Sequence, residues 1–250
     1  MKKIKILIPI YNDWQSVFKL LENINSEVSG LEHEFSLIIV NDASTEAKTE
    51  LSANLDNLNS IKIINMKENR GHARCIAVGL KHIIENEEFD YVIPMDGDGE
   101  DRPEEIKQLV DNLNYNSDKP IVGERIKRSE GIFFKFCYFV HKIITSTFTG
   151  HSIKYGNYTC LPKSTIEKMI NEKATWSSFS GALAKVAKDR ATIPSERGTR
   201  YFGPSKMNFK NLLIHSISIV GVFKINVLIR SVLFLLVYMF LIHQNITPIM

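Results

Sequence analysis

The residues of this chain best suited to chemistry form one acidic run, Asp96-Gly97-Asp98-Gly99-Glu100-Asp101. Two aspartates one residue apart, just past an apolar segment, can both face a single cation, and the glycines between them let the backbone turn sharply. Hard carboxylate oxygens suit Mg²⁺ or Mn²⁺, ions that bridge the oxygens of a diphosphate and neutralise its charge as it departs. An EF-hand loop is excluded, because the spacing to a terminal glutamate is absent. A solvated acidic turn has the same composition, so the run alone does not decide.

The elements that must position this run alternate in type. Residues 4–8 read as an apolar, β-branched strand. Residues 14–27 read as a helix with Trp14, Val17, Phe18, Leu21 and Ile24 on one face and Asp13 as N-cap. Strands follow at 35–40, 61–66 and 91–95, and a short one at 121–123. Helices are expected at 45–57, at 70–85 and after Pro103, where Glu104 and Glu105 favour a first turn. Residues 164–171 and 177–188 also look helical. This alternation predicts an α/β fold: a Rossmann-like, mostly parallel sheet with helices on both faces. Ligands of such sheets bind at the carboxyl ends of the strands. There fall Tyr11-Asn12-Asp13, Asn41-Asp42, the acidic run and Glu124-Arg125.

At 250 residues, 44% hydrophobic and 24% charged, the chain suits one globular domain with or without an appendage. A net charge of +3 is too small to point to nucleic acid, and no nucleic-acid partner is expected. Three cysteines without a CxxC pair, Cys75, Cys137 and Cys160, read as reduced thiols in a cytosolic compartment. The N-terminal apolar run is broken by Lys5 and Pro9, so it reads as a first strand rather than a signal peptide.

Near the other terminus, residues 231–242 carry no charge. That run covers only about 18 Å of a hydrocarbon core about 30 Å thick. Extension back to Ile225 and on toward Ile249 makes a full span, with Arg230 snorkelling to the headgroups. Lys206, Lys210, Lys224 and Arg230 precede it, which sets the main domain on the cytoplasmic face of the inner membrane. The expected division is a catalytic domain at 1–206, a juxtamembrane amphipathic segment at 207–224 and a membrane helix with a short tail at 225–250. Residues 131–148 fit either a core helix or an amphipathic helix lying on the membrane. A homo-oligomer through the C-terminal helices is compatible with this layout.

Several segments together resemble family 2 glycosyltransferases of the GT-A fold. The similarity is greatest to the branch of dolichyl-phosphate mannose synthase and the bacterial polyprenyl-phosphate sugar transferases. The matching pieces are PIYND, VNDAST, NRGHARCIAVGL, MDGDGEDRPEEI, IVGERIKR, GNYTCLPKSTIEKM and RYFGPSKM, in family order over nearly the whole chain. The resemblance implies a nucleotide-sugar donor, UDP- or GDP-linked. Pro9 and Tyr11 would flank the base and ribose, and Asp42 would hydrogen-bond the base. Asn41 stands where the family more often has aspartate, and Asn69 and Gly71 belong to the same nucleotide-sugar pocket. Asp96, Gly97 and Asp98 would meet the sugar diphosphate, with Asp96, Asp98 and Glu100 as ligands of Mg²⁺ or Mn²⁺. Arg125 would face a phosphate. Arg200, Ser205 and Lys206 match a segment that closes over the diphosphate or acceptor phosphate, so Asp98, Arg125, Arg200 and Lys206 are the expected catalytic set. Two departures stand out. Gly156-Asn157-Tyr158 replaces the usual Gly-Asp or Gly-Phe-Arg, and the chain stops after one span where the bacterial branch has two. The expectation is a one-span variant or a shortened chain.

Family members that glycosylate a hydroxyl take a base from a Glu-Asp pair opening a helix. Residues 175–181 here, Thr-Trp-Ser-Ser-Phe-Ser-Gly, hold no carboxylate. Loss of a general base costs about 10²–10⁴-fold for a hydroxyl nucleophile, whereas a lipid phosphate is already anionic and needs only positioning. The expected acceptor is therefore a polyprenyl phosphate at the inner leaflet, attacked in one inverting displacement. Two alternatives stay open: transfer to a saccharide hydroxyl in cell-surface polysaccharide synthesis, with Asp101 or Glu124 as base, and a catalytically inactive nucleotide-binding membrane subunit.

Overall fold

Strand β1 (Lys3–Ile10) is buried from Ile4 to Ile10. It pairs in parallel with β2 (Glu34–Asn41) on one side and β4 (Tyr91–Pro94) on the other. A strand enclosed in this way is apolar along its length rather than alternating. The computed structural model describes residues 1–48, 54–127, 132–204 and 209–246. In it β3 (Ser60–Asn65) adds to β2 in parallel. β6 (Tyr155–Pro162) runs antiparallel to β4 and to β5 (Ile121–Lys127), and β7 (Ala191–Glu196) pairs with β5 in parallel. The order is β3-β2-β1-β4-β6-β5-β7. The expected α/β sheet, mostly parallel, is present. β6 and β7 are additions to the strands expected from the pattern.

Two apolar layers cover the sheet. Ile4, Ile6 and Ile8 of β1 pack with Val17, Leu20 and Ile24 of α1 (Trp14–Glu27) and with Ile106 and Leu109 of α3 (Ile106–Asp111). The intervening Leu7 faces the opposite layer, with Ile76 and Leu80 of α2 (His72–Asn86), Ile166 of α5 (Lys163–Asn171) and Leu183 of α6 (Phe179–Val186). This two-residue alternation sends successive β1 side chains into opposite cores. α2 lies close on β1: a Cβ at Gly79 would sit 2.3 Å from a methyl of Leu7.

Several local expectations change. Residues 45–48 and 54–57 are not helical, and the middle of the expected 45–57 helix lies outside the described residues. Pro103 opens a 3₁₀ turn that leads into α3 rather than a single long helix. Asp13 precedes α1, but its side chain makes no cap hydrogen bond. Cys75 and Cys160 are buried and free.

The chain divides into two compact units, Met1–Ser129 with Lys154–Asn208, and Glu130–Ile153 with Phe209–Met250. Residues 130–153, expected inside a 1–206 domain, thus group with the C-terminal helices. The second unit is built from α4 (Ile132–Thr149), α7 (Phe209–Val222) and α8 (Lys224–Ile246). The last carbonyls of a helix lack partners within it. In α4, Thr149 O accepts from Asn226 Nδ2 and Thr147 O accepts from Arg230 Nη1, each at 3.0 Å. Arg230, expected to snorkel, therefore has its guanidinium on the end of α4. Phe148 meets Phe234 edge-on, with ring centroids 5.7 Å apart. Residues Lys224–Gln244 have a mean hydropathy of 2.4 and no buried residue, so α8 is long and apolar enough to cross a membrane. On α4, Phe139, Val140, Ile143 and Ile144 are exposed, so this helix is not a core helix of its unit along that face.

Replacing Gly79 with valine tests the α2–β1 approach. Overpacking at Leu7 is expected to cost about 1–3 kcal/mol, read as a lower urea midpoint with an unchanged slope.

Candidate functional site

The acidic run forms the turn after β4, and its shape is set by its own side chains. Asp101 is 5% exposed and its Oδ2 accepts from the Asp96 N–H at 2.8 Å. Asp98 Oδ1 accepts from the Glu100 N–H at 3.0 Å. Gly97 passes so close to β1 that a Cβ would lie 2.9 Å from Val17 Cγ2 and 3.3 Å from the Pro9 carbonyl. Gly99 has φ +88° and its Cα faces the Tyr201 ring, where a Cβ would come within 2.6 Å. Both glycines are therefore steric requirements of this turn.

A strap after β7 lies over the turn. Gly198 N–H donates to the Glu100 carbonyl at 2.8 Å and Tyr201 N–H to the Asp98 carbonyl at 3.0 Å. Tyr201 Oη accepts from Asn23 Nδ2 at 2.8 Å. Two guanidiniums accompany the strap. Arg197 pairs with Glu100. Arg200 Nη1 donates to Asp98 Oδ2 at 2.6 Å, while its Nη2 donates to Asp13 Oδ2. Arg125 Nη2 lies 3.8 Å from Asp101 Oδ1. It also lies beside Gly156, where a Cβ would be only 3.2 Å from Nη2.

The turn thus brings Asp96, Asp98 and Asp101 together with Arg125 and Arg200. It uses Glu100 differently, because that carboxylate is engaged by Arg197 instead of being open beside the aspartates. Burial, and then the charge of Asp96, push the Asp98 carboxyl up to about 6. Burial followed by the charge of Asp96 also raises Asp101, against the opposing pull of Arg125. Both shifts are led by burial and then by the charge of Asp96, a condition that a cation beside the carboxylates relieves. Among the described residues no group of three or more His, Cys, Asp or Glu side chains is arranged as a ready metal cage. Asp96 and Asp98 offer hard oxygen donors that could hold a cation only with its other ligands from phosphate and water, as Mg²⁺ commonly binds.

The other expected residues occupy neighbouring strand ends. Asp42 is 3% exposed, and its two oxygens accept from Arg70 N–H at 2.7 Å and Gly71 N–H at 2.8 Å. That clamp holds the loop before α2, where Gly71 has φ +88°. Asn41 Nδ2 donates to Asn65 Oδ1 at 2.9 Å and its Oδ1 accepts from Ser44 N–H at 3.0 Å. Pro9 is buried and Asn69 exposed, while Tyr11 is 42% exposed. Ser205 and Lys206 lie outside the described residues.

Three participants carried no sequence assignment, Arg197, His72 and Tyr201, and a fourth, Asp13, was expected only as a helix N-cap and as part of the polar cluster after the first strand. His72 Nε2 is 3.4 Å from Asp96 Oδ1 and 2.7 Å from Asn157 Nδ2. Asn157, a departure from the family pattern, therefore sits beside Asp96. Asp13 had the one available signal, an acidic residue directly after a strand end.

The model for glycosyl transferase family 2 matches residues 5–175, more than half the chain. The chain belongs to that family. It is 27% identical over 220 residues, 85% of its length, to an undecaprenyl-phosphate 4-deoxy-4-formamido-L-arabinose transferase of Salmonella choleraesuis (strain SC-B67). The Salmonella paratyphi B (strain ATCC BAA-1250 / SPB7) protein of the same name gives the same identity and coverage. The chain spans 65% of the length of these curated relatives, a little under two thirds. Among solved structures, glucosyl-3-phosphoglycerate synthase from Mycobacterium tuberculosis, in complex with Mn²⁺, UDP and glucosyl-3-phosphoglycerate, superposes with a TM-score of 0.65 at 13% identity, over 90% of this chain and 80% of that one. S. aureus TarS 1–349 in complex with UDP-GlcNAc gives 0.53 at 13% identity, over 86% and 61%. These likenesses establish the GT-A fold.

The raised Asp98 carboxyl has a stability consequence with a definite sign. A carboxyl whose folded pKa exceeds its unfolded value of about 3.9 contributes stability below that value and loses it as pH rises through the folded one. In metal-free buffer, wild type should therefore lose stability relative to Asp98→Asn between pH 4 and about 6. The expected loss is up to about 3 kcal/mol, and paired urea titrations across this pH range check it.

Proposed function

We propose that this chain transfers a sugar from a nucleotide-sugar to a polyprenyl phosphate at the cytoplasmic face of a membrane, in one inverting displacement. The observation that carries the reading is the state of the site's carboxylates. Asp13 is held by Arg200, Glu100 by Arg197, and Asp101 is buried on the Asp96 N–H. Glu124, the other candidate base, pairs with Lys154 at 2.9 Å. In residues 175–181, Ser178 accepts from the Gly181 N–H and Thr175 donates to the Met169 carbonyl. Among the described residues this favours an acceptor that brings its own negative charge over a hydroxyl that must be deprotonated. The printed names of the Salmonella relatives, and the apolar α8, agree with a lipid-phosphate acceptor.

Asp96 and Asp98 would hold Mg²⁺ or Mn²⁺, which when bound neutralises charge on the nucleoside diphosphate leaving group. Glu100 is the least suited of the three expected ligands because Arg197 already neutralises it. Tyr11, with Pro9, Asn41, Asp42, Asn69 and Gly71 at the neighbouring strand ends, would bind the nucleoside. In this arrangement Asp42 acts by shaping the Arg70-Gly71 loop. Gly97, which has no room for a Cβ beside Val17 and the Pro9 carbonyl, would keep the turn against β1 so that Asp96 and Asp98 meet the diphosphate. Arg125 and Arg200 would orient phosphate oxygens by charge-assisted hydrogen bonds. Ser205 and Lys206 follow the strap in sequence and would extend that contact. Lys206 and Lys210 precede α8, and Lys224 and Arg230 lie in its first two turns, which supports the cytoplasmic orientation.

Membranes or detergent-purified protein supplied with labelled UDP-, GDP- and dTDP-sugars and polyprenyl phosphate should give lipid-linked label that requires Mn²⁺ or Mg²⁺. Asp98→Asn should lower transfer by at least about 10²-fold, the scale of losing one charge-stabilising group. Label appearing only in saccharide acceptors would overturn the reading.

A further inference from the structure

Asp13 follows the carboxyl end of β1 and stands at the N-cap position of α1, where its backbone carbonyl accepts from the Val17 N–H at 3.2 Å. Its carboxylate makes no cap bond to that helix. Oδ1 accepts from Ser16 Oγ, which fixes the side chain, and Oδ2 accepts from Arg200. Arg200 is thereby shared between two carboxylates, Asp13 and Asp98. The three side chains are 19%, 17% and 12% exposed for Asp13, Asp98 and Arg200.

That burial makes the sharing consequential. Asp98 Oδ2 is spent on Arg200 in this state. A cation that takes this oxygen must share or displace the guanidinium. A mostly buried guanidinium left without a carboxylate would be strongly unfavourable. Asp13 removes that penalty, because it keeps one half of the fork paired while the other half is released. The strap itself does not depend on the Asp98 carboxylate. It is hung from the Asp98 and Glu100 backbone carbonyls, and Tyr201 is tied to Asn23. Arg200 would therefore stay beside the turn with one face of its guanidinium open to an anion.

We propose that Asp13 is a positioning residue: it retains Arg200 beside the acidic turn when a divalent cation occupies Asp98, and so presents that guanidinium to a phosphate. The inference rests on the cation-dependent transferase reading above, but it concerns a step that precedes any sugar or acceptor. It couples two residues far apart in sequence through one shared cation.

The test is a Mn²⁺ titration of the full chain in detergent without nucleotide, followed by the electron paramagnetic resonance signal of free Mn²⁺. Asp13→Asn keeps an acceptor for Ser16 but removes the charge that retains Arg200. It should weaken Mn²⁺ binding by about fivefold or more, the low end of coupling between linked sites. Arg200→Gln removes the competitor and should tighten Mn²⁺ binding. In the Arg200→Gln background, Asp13→Asn should have no further effect. A pair that only stabilises the fold would lower the melting temperature and leave Mn²⁺ affinity unchanged. Unchanged affinity in Asp13→Asn, an equal effect of Asp13→Asn in both backgrounds, or no Mn²⁺ binding by wild type would each overturn the proposal. If Asp13→Asn does not fold, failure of Arg200→Gln to tighten Mn²⁺ binding overturns it alone. Normal Mn²⁺ coupling without transfer to polyprenyl phosphate would instead remove the acceptor assignment and leave this inference standing.

Discussion

Charge crowding in the turn after β4 is the constraint on which the rest of the site depends. Asp96, Asp98, Glu100 and Asp101 share six residues of chain, and two of them, Asp98 and Asp101, have carboxyl groups raised by burial and by the charge of Asp96. Such a turn holds its shape only if its charges are met from elsewhere. They are met from three places in sequence: Arg125 at the end of β5, and Arg197 and Arg200 in the strap beyond β7. Two glycines are then obligatory, one against β1 and one beneath Tyr201. The sheet order follows the same logic. Inserting antiparallel β6 between β4 and β5 brings Asn157 beside Asp96 and leaves room for Arg125 past Gly156.

The first half of the fold was legible because its strands are enclosed by parallel neighbours and are almost wholly apolar. β1, β2 and β4 needed no partner information to be recognised. β7 was harder, because Ala191–Glu196 contains Pro194 and alternates only weakly, so nothing in its local pattern separates it from a loop. β6 carries an apolar end, but its first residues Tyr155-Gly156-Asn157 serve the site rather than the core. The grouping of residues 130–153 with the C-terminal helices was not legible for a related reason. Residues 130–153 are apolar enough for a core, and composition does not reveal that their partners lie beyond residue 209.

At the site, residue types were legible and pairings were not. Aspartates after a strand announce a cation or phosphate function, but Glu100 looks identical whether it faces a metal or Arg197. Asp42 illustrates the same limit. Its carboxylate is consumed by two backbone N–H groups of a loop that begins nearly thirty residues later, a distance that no local pattern spans. Asp13 was read as a helix cap because it stands where caps stand. Its backbone carbonyl does begin the helix, but its carboxylate is taken by the Ser16 hydroxyl and by Arg200.

The fastening of α4 by α8 has a consequence for how the chain is assembled. The carbonyls at the end of α4 are satisfied by Asn226 and Arg230, side chains that leave the ribosome roughly eighty residues later. The sheet can close in the interval, since β6 and β7 are both made before α7 begins. During that interval α4 is an apolar helix whose terminal partners do not yet exist. A polypeptide ending near residue 208 would have the whole sheet and the acidic turn, yet it would be frozen in that intermediate condition. Solubilising this protein by cutting off its C-terminal helices would thus expose one hydrophobic surface by removing another.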